Sequence, residues 1–305
     1  MDTMDFAPEL DQPVGYMART RAWYLALGYD NPYRWAHYLD VPFQPLACKL
    51  SDLTLTLITT AAPFDPAKGD QAPRAPYNAA AKFYDVYSGS SDQDHDVRIV
   101  HVAIDRKHSP MTDPNSWFPL PLLRDLASEG RFRLGPRFHG APTNRSQRQT
   151  IEKDCPEILA RCREDGTDVA VLVANCPVCH QTLSLVARYL EANGIATVLL
   201  GCAKDIPEHC GVPRFLFSDF PLGNAAGKPH DPASQRQTMA LALRVLESAP
   251  GSRTTVQSPQ RWSDDFDWKL DYSNPDRTPA NELARLRQEA DQAKAEIARL
   301  KAVSS

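Results

Sequence analysis

Apolar and polar positions alternate with two different periods along the stretch from Asp168 to Leu246. DVAVLVA at 168–174 is an unbroken aliphatic run, which fits a strand buried on both faces. Pro177–Ala192 then places apolar side chains at helical spacing and reaches a stop at Gly194. IATVLLG at 195–201 reads as a further strand, PRFLFSD at 213–219 as a shorter one, and Ser234–Leu246 as another helix. Strands alternating with helices predict a parallel sheet with helices on both faces, because each crossover helix buries its apolar stripe on the sheet it bridges. The predicted class is therefore α/β and Rossmann-like, as one sheet or as two halves. Ligands in such sheets meet the carboxyl ends of the strands. The loops holding Thr59 and Thr60, Cys176, and Asp219 are expected to converge there.

The pattern upstream is less regular. A short helix is read over Met17–Leu27, inside an arm rich in aromatics and proline. Leu53–Thr59 is β-branched and apolar and reads as a strand, followed by a loop rich in Pro and Gly. Asp96–Asp105 reads as a second strand, and Leu122, Leu123 and Leu126 as one helix face that Gly130 ends. Ser146–Arg163 is near helical spacing, with Pro156 marking a kink or a fresh helix start. At the far end Leu283, Leu286, Ala290, Ala293, Ile297 and Leu300 are spaced 3-4-3-4-3. That is a heptad seam, which predicts a coiled coil joining copies of the chain through residues 281–302, or a helix docked on its own subunit. The resulting division is an N-terminal arm at 1–45, an α/β domain at 46–249, a polar linker or wrapping segment at 250–279, and a coiled-coil helix at 280–305.

Composition narrows the setting. The chain has 305 residues, 42% of them hydrophobic, enough for one large core or two smaller ones. A net charge of -4 implies no strongly basic face, so general nucleic-acid binding is not expected. The N-terminal MDTMDFAPELDQPVG carries acidic residues and no apolar core, and runs such as Val169–Ala174 are too short to span a bilayer. A cytoplasmic protein without membrane contact is expected. Seven cysteines, an odd number, exclude a fully paired disulfide framework. In a reducing compartment, neighbouring cysteines point to metal or redox chemistry.

Cys176, Cys179 and His180 form C-x-x-C-H. That string can attach a c-type haem, hold a metal or act as a redox dithiol. Covalent haem attachment belongs outside the cytoplasm, and the flanks read as α/β rather than helical. Cys176 follows a strand, and Pro177 suits the first helical position. Cys176 then sits near the helix N-cap, where backbone N–H groups and the helix dipole favour thiolate. Cys179 is one turn on, close enough to close a disulfide, and His180 can supply a proton or polarise a substrate. A zinc site is the alternative, with Cys155 and Cys162 or Cys202 and Cys210 completing the ligands. Thr59 and Thr60 can hold a carboxylate at a strand end, or simply cap it. Asp105 and His108 are candidates for acid/base work, or ordinary loop residues. Asp219 and Asn224 lie in a loop where Gly223 and Gly227 allow positive φ or close approach to a ligand. No spacing matches a dinucleotide fingerprint or a P-loop, so no nucleotide cofactor is expected. His139 has no context beyond its loop.

GTDVAVLVANCPVCHQTLSLVARYLEANGIATVLLG resembles the selenoprotein B family of glycine, sarcosine, betaine and D-proline reductases. VRIVHVAIDRKHS and WFPLPLLRDLASEGRFRLGPRFHG are similar to the family's upstream segments, and PRFLFSDFPLGNAAGKPHD to its downstream one. The likeness runs from about Leu53 to Leu246. It implies that Cys176 stands at the position of the family's selenocysteine, or of the cysteine that replaces it in many relatives, and acts as nucleophile. It implies that Cys179 is the resolving thiol. The reaction implied is reductive cleavage at the α-carbon of an amino-acid-like substrate, beside a partner reductase subunit that carries a pyruvoyl group. An external thiol or a thioredoxin-like protein is expected to regenerate the pair, with no bound cofactor. Two other classes stay open. One is a cofactor-independent racemase or lyase with Cys202 as its second thiol; the other is a Cys/His metal-binding protein on a heptad scaffold.

Overall fold

The computed structural model describes residues 12–29, 33–72, 78–82, 84–101, 103–143 and 146–303. They fall into two compact units. One runs from Trp35 to Trp262; the other combines the residues up to Arg34 with those from Ser263 onward.

The strands of the larger unit are β1 Thr54–Thr59, β2 Ala62–Pro63, β3 Tyr87–Ser90, β4 Val97–Arg98, β5 Arg133–Leu134, β6 Arg137–Gly140, β7 Val169–Val173, β8 Ala196–Gly201, β9 Arg214–Phe217 and β10 Thr254–Gln257. Eight of them make one sheet in the order β10-β9-β8-β7-β1-β6-β3, with β5 on the same edge of β1 as β6. All pairs in it are parallel except β3 with β6. The expected α/β class is what the chain adopts, with one main sheet. Register aligns Thr59 with Val173 and Val173 with Leu200, so the chain leaves β1, β7 and β8 at one level. Every residue of β7 and β8 is buried, which is why their sequences are continuous rather than alternating.

The helices of this unit are Leu120–Ser128, Cys155–Glu164, Pro177–Glu191, Asp205–Cys210 and Pro232–Ser248, with a single turn at Ala79–Lys82. The expected break near Pro156 takes the form of a π-turn, Thr150–Asp154, between the helical residues Gln147–Gln149 and the Cys155–Glu164 helix. The Pro177–Glu191 helix is buried around almost its whole circumference. The sheet takes one side, and the extended segment near residues 36–44 straps part of the rest. The Ala36 N–H donates to Gln181 Oε1 at 2.6 Å, Arg188 donates to the Asp40 carbonyl at 2.8 Å, and the Gln44 N–H donates to Glu191. Glu191 and Arg214, both essentially unexposed, form an ion pair of 2.7 Å. The Arg214 guanidinium also lies 4.0 Å from the Phe43 ring centroid.

Two elements differ from expectation. Among the described residues of Asp96–Asp105 only β4 pairs, antiparallel to β2 and apart from the main sheet. The edge of that sheet is already taken by β3. Within 250–279, read as polar linker, Thr254–Gln257 extends the sheet as its parallel edge strand on β9. An edge strand buries little, so its sequence shows no apolar alternation.

In the smaller unit, helices span Tyr16–Ala26, Asp267–Asp271 and Ala280–Val303. Arg19 donates to the Tyr272 carbonyl at 2.6 Å, and Tyr16 packs edge-on against Tyr272. Arg287 donates to the Ala26 carbonyl, and Lys294 donates to the Gly28 carbonyl at 3.0 Å. The C-terminal helix thus docks on its own chain, with Leu283 and Leu286 half-buried and Ala290 buried. The side chains of Ala293, Ile297 and Leu300 lie outside the described residues. Among the described residues no helix is long and apolar enough to cross a membrane.

Candidate active site

Cys176 is the N-cap of the helix that follows β7. Its backbone is extended (φ -133°, ψ 170°), Pro177 opens the helix, and the Cys179 N–H donates to Cys176 Sγ at 3.2 Å. This is a cap in which sulfur takes the place of the usual oxygen. The N–H and the helix dipole both favour negative charge on that sulfur when it is a free thiol. Cys176 and Cys179 are joined as a disulfide, with Cα atoms 4.9 Å apart. They are 3% and 0% exposed, so the pair lies beneath the surface.

His180 is also fully buried, and both of its ring nitrogens are spent on backbone. Nδ1 donates to the Cys176 carbonyl at 2.7 Å. Nε2 accepts from the N–H groups of Cys202 and Ala203 at 2.9 and 3.1 Å. Burial lowers its pKa from 6.5 to about 4, against the opposing pull of the Cys176 carbonyl. The neutral ring therefore clamps the end of β8 to the end of β7. Gly201 makes room for it: a Cβ there would meet His180 Nε2 at 2.4 Å.

The imidazole that does lie with the sulfurs is His101. The ligand atoms of His101, Cys176 and Cys179 all fall within 4.8 Å of one another, and all three residues are buried. Sequence reasoning passed over His101, because it sits inside an apolar run read as strand. A histidine interrupting such a run was the available signal. Among the described residues, neither Cys155 and Cys162 nor Cys202 and Cys210 join this group.

The other candidates sit around the same end of the sheet. Asn175 Nδ2 donates to Thr60 Oγ1 at 3.4 Å, tying the β1 and β7 loops together. Thr59 Oγ1 accepts from the Ala61 N–H at 3.0 Å, a strand-end cap. The N–H groups of Asn224 and Phe220 face the Cys202 sulfur, while burial and the neighbouring Asp219 keep that thiol protonated, well above its ordinary pKa. Asn224 Nδ2 donates to Ser109 Oγ at 2.6 Å and to the Pro221 carbonyl at 2.9 Å. Ser109 in turn donates to the Leu222 carbonyl at 2.8 Å. These bonds stitch the loop of Asp105 and His108 to the loop of Asp219 and Asn224. Gly223 (φ +106°) is needed there, since a Cβ would meet Ile104 Cδ1 at 2.7 Å. Asp105 accepts from the His108 backbone N–H at 3.1 Å and contacts His108 Nδ1 at 3.0 Å, so the two pair within one loop. Asn175 Oδ1 and Asn224 Oδ1 are buried without a hydrogen-bond partner among the described residues. His139 stands apart, on β6, between Ser88 and Asp165.

The remaining buried thiols differ from Cys176. Burial raises Cys162 and Cys210 to about 12 and Cys155 further still, which keeps them protonated and inert. Two cavities lie away from the sulfurs: one of about 530 Å³ along Leu46–Ser51 and Arg131, and one of about 130 Å³ beside His95 and Trp117.

No protein-family model matches the chain, and no solved structure matches it. Among curated proteins it is similar to D-proline reductase subunit gamma of Acetoanaerobium sticklandii. The two are 28% identical over 223 residues, 72% of this chain and 88% of that protein. With a cysteine pair at a strand end of an α/β sheet, that similarity bears out the likeness to the selenoprotein B reductases and is consistent with a distant relative of the proline/glycine reductases.

Proposed function

We propose that the protein is a thiol-dependent reductase that cleaves a bond at the α-carbon of a small amino-acid-like substrate. The observation that carries this is the Cys176–Cys179 pair, capped at a helix N-terminus and closed as a disulfide. The Cys176 thiolate displaces the substituent at the α-carbon, forming a C–S bond as the C–X bond breaks. The Cys179 thiolate then attacks Cys176 Sγ. An S–S bond forms, and the C–S bond breaks with its electron pair on carbon. The adjacent carboxyl group stabilises that carbanion until it takes a proton. The substrate is thus reduced by two electrons, and the dithiol becomes the disulfide. An external thiol or a thioredoxin-like protein returns the pair to dithiol.

His101 is placed to move the proton, and His180 holds the geometry. Thr59, Thr60, Asp219 and Asn224 surround the substrate, with Asp105 and His108 as a further proton-handling pair. The unpartnered acceptors of Asn175 and Asn224 suit a protonated amine. Because the sulfurs are buried, substrate entry needs the structure around them to open. The relative's description as a subunit supports a partner reductase subunit for this chain as well. Homo-oligomerisation through residues 281–302 is a separate part of the reading, tested by the mass of the protein in solution with and without that helix.

The mechanism is tested with Cys179→Ser. Incubated with D-proline and a panel of α-substituted amino acids, it accumulates a substrate adduct on Cys176, read by peptide mass. Cys176→Ser forms none. Absence of any adduct across the panel, with and without candidate partner subunits, contradicts the reading.

A further inference from the structure

Two thiols and an imidazole meet at the end of β7, and the imidazole is not their neighbour in sequence. We propose that the reduced protein binds a soft divalent cation, zinc foremost, through Cys176 Sγ, Cys179 Sγ and a ring nitrogen of His101, and that bound metal and the Cys176–Cys179 disulfide exclude one another. This goes beyond the reductase reading and does not rest on it.

The C-x-x-C-H string suggests His180 as the third ligand. The structure assigns that place to His101. His180 has Nδ1 on the Cys176 carbonyl and Nε2 on two backbone N–H groups, so coordination would cost it all three bonds through Nδ1 and two of them through Nε2. His101 reaches the sulfurs from another segment, with all ligand atoms within 4.8 Å. A tetrahedral zinc site places two thiolates about 3.8 Å apart. Opening the disulfide while the Cα atoms stay near their 4.9 Å separation allows that spacing by side-chain rotation. Charge favours the same state. Two thiolates cancel a divalent charge, so the buried site gains no net charge. The Cys179 N–H already directed at Cys176 Sγ supports the coordinated sulfur as an outer-shell donor. Among the described residues no further His, Cys, Asp or Glu joins the group. Three protein ligands leave one position open, as in catalytic rather than structural zinc sites.

The chemistry balances. A dithiol reductant such as dithiothreitol gives two electrons and two protons to the disulfide and leaves as its own cyclic disulfide. Zinc binding then releases the two thiol protons to solvent. Oxidation reverses the sequence and expels the metal.

The test is equilibrium dialysis of full-length protein against zinc, with bound metal measured after removal of reductant. Reduced protein is expected to retain about one zinc per chain, and the disulfide form none. Cys176→Ser should retain none. His101→Ala should bind at least about 100-fold more weakly, beyond the loss seen for an outer-shell partner. A Cys155→Ser/Cys162→Ser double variant should bind as wild type does. X-ray absorption at the zinc edge of the wild-type protein reads the ligands without any variant: two sulfurs with imidazole scattering support the site. The proposal is overturned by any of four results: no retention by reduced wild type, equal retention by the disulfide form, a folded His101→Ala that binds like wild type, or an edge spectrum without sulfur or without imidazole. Adduct trapping with Cys179→Ser needs no metal, so the two proposals fail separately.

Discussion

His180 and His139 make the fold sensitive to mild acid. Each is fully buried, and burial lowers each from 6.5 to about 4. For His180 the cause is visible atom by atom, since a proton on Nε2 would face the N–H groups of Cys202 and Ala203. For His139, Arg137 and Arg161 add to the effect of burial, while Asp165 at 3.3 Å opposes it. In the unfolded chain both rings take a proton below about pH 6.5. In the folded chain they do so only below about pH 4. Between those values the unfolded state binds more protons, so stability is complete above about pH 6.5 and is lost as pH falls toward 4. The gap of about 2.5 units corresponds to about 3 kcal/mol for each ring. Together they remove about 6 kcal/mol, against a total of about 5–15 kcal/mol for a typical domain. The assay is urea denaturation at a series of pH values for wild type, His139→Gln and His180→Gln. Carboxylates away from the two rings titrate alike in all three and cancel in the difference. Each variant should lose about 3 kcal/mol less than wild type between pH 7 and 4, whatever its stability at pH 7. Parallel pH profiles for wild type and both variants would show that neither ring is held neutral by the fold.

Further outcomes follow from single contacts. Glu191→Ala leaves Arg214 charged and unpaired in the core and should destabilise the protein by about 3–5 kcal/mol. Glu191→Gln, which keeps one acceptor oxygen for Thr197 and Arg214 and loses the one for the Gln44 N–H, should cost less by the same urea measurement. Gly201→Ala drives a Cβ into the His180 ring. It should cost about 1–3 kcal/mol and change the alkylation rate of reduced Cys176, whereas a rate equal to wild type would show that His180 does not set the Cys176 loop.

The sheet's centre was legible because β7 and β8 are buried on both faces, and the physics of burial writes itself into unbroken aliphatic runs. The position of Cys176 followed from the same run together with Pro177, which marks where the helix begins. What could not be read were relations made by the chain's return. His101 reaches the dithiol from a segment whose local pattern looked like strand, and only the tertiary fold turns it inward. His180 looked like a catalytic neighbour because it adjoins Cys179, but the helix carries its ring toward the β8 loop. The Glu191–Arg214 pair was hidden for a similar reason, as both are ordinary surface residue types until the Phe43 segment covers them. In the tail, the heptad spacing was real, yet spacing alone does not say whether the seam meets a second copy or the chain's own first helix.

In the proposed reaction Cys176 and Cys179 form a reversible redox pair while the other cysteines do not take part. This is tested by equilibrating the native protein with a series of reduced and oxidised dithiothreitol mixtures, quenching by alkylation and mapping the peptides by mass. Cys176 and Cys179 are expected to pass from dithiol to mutual disulfide together, as one two-electron couple, while Cys155, Cys162, Cys202 and Cys210 remain thiols throughout. A Cys176 that pairs elsewhere, or a Cys176–Cys179 disulfide that the native protein never forms or never releases, contradicts it.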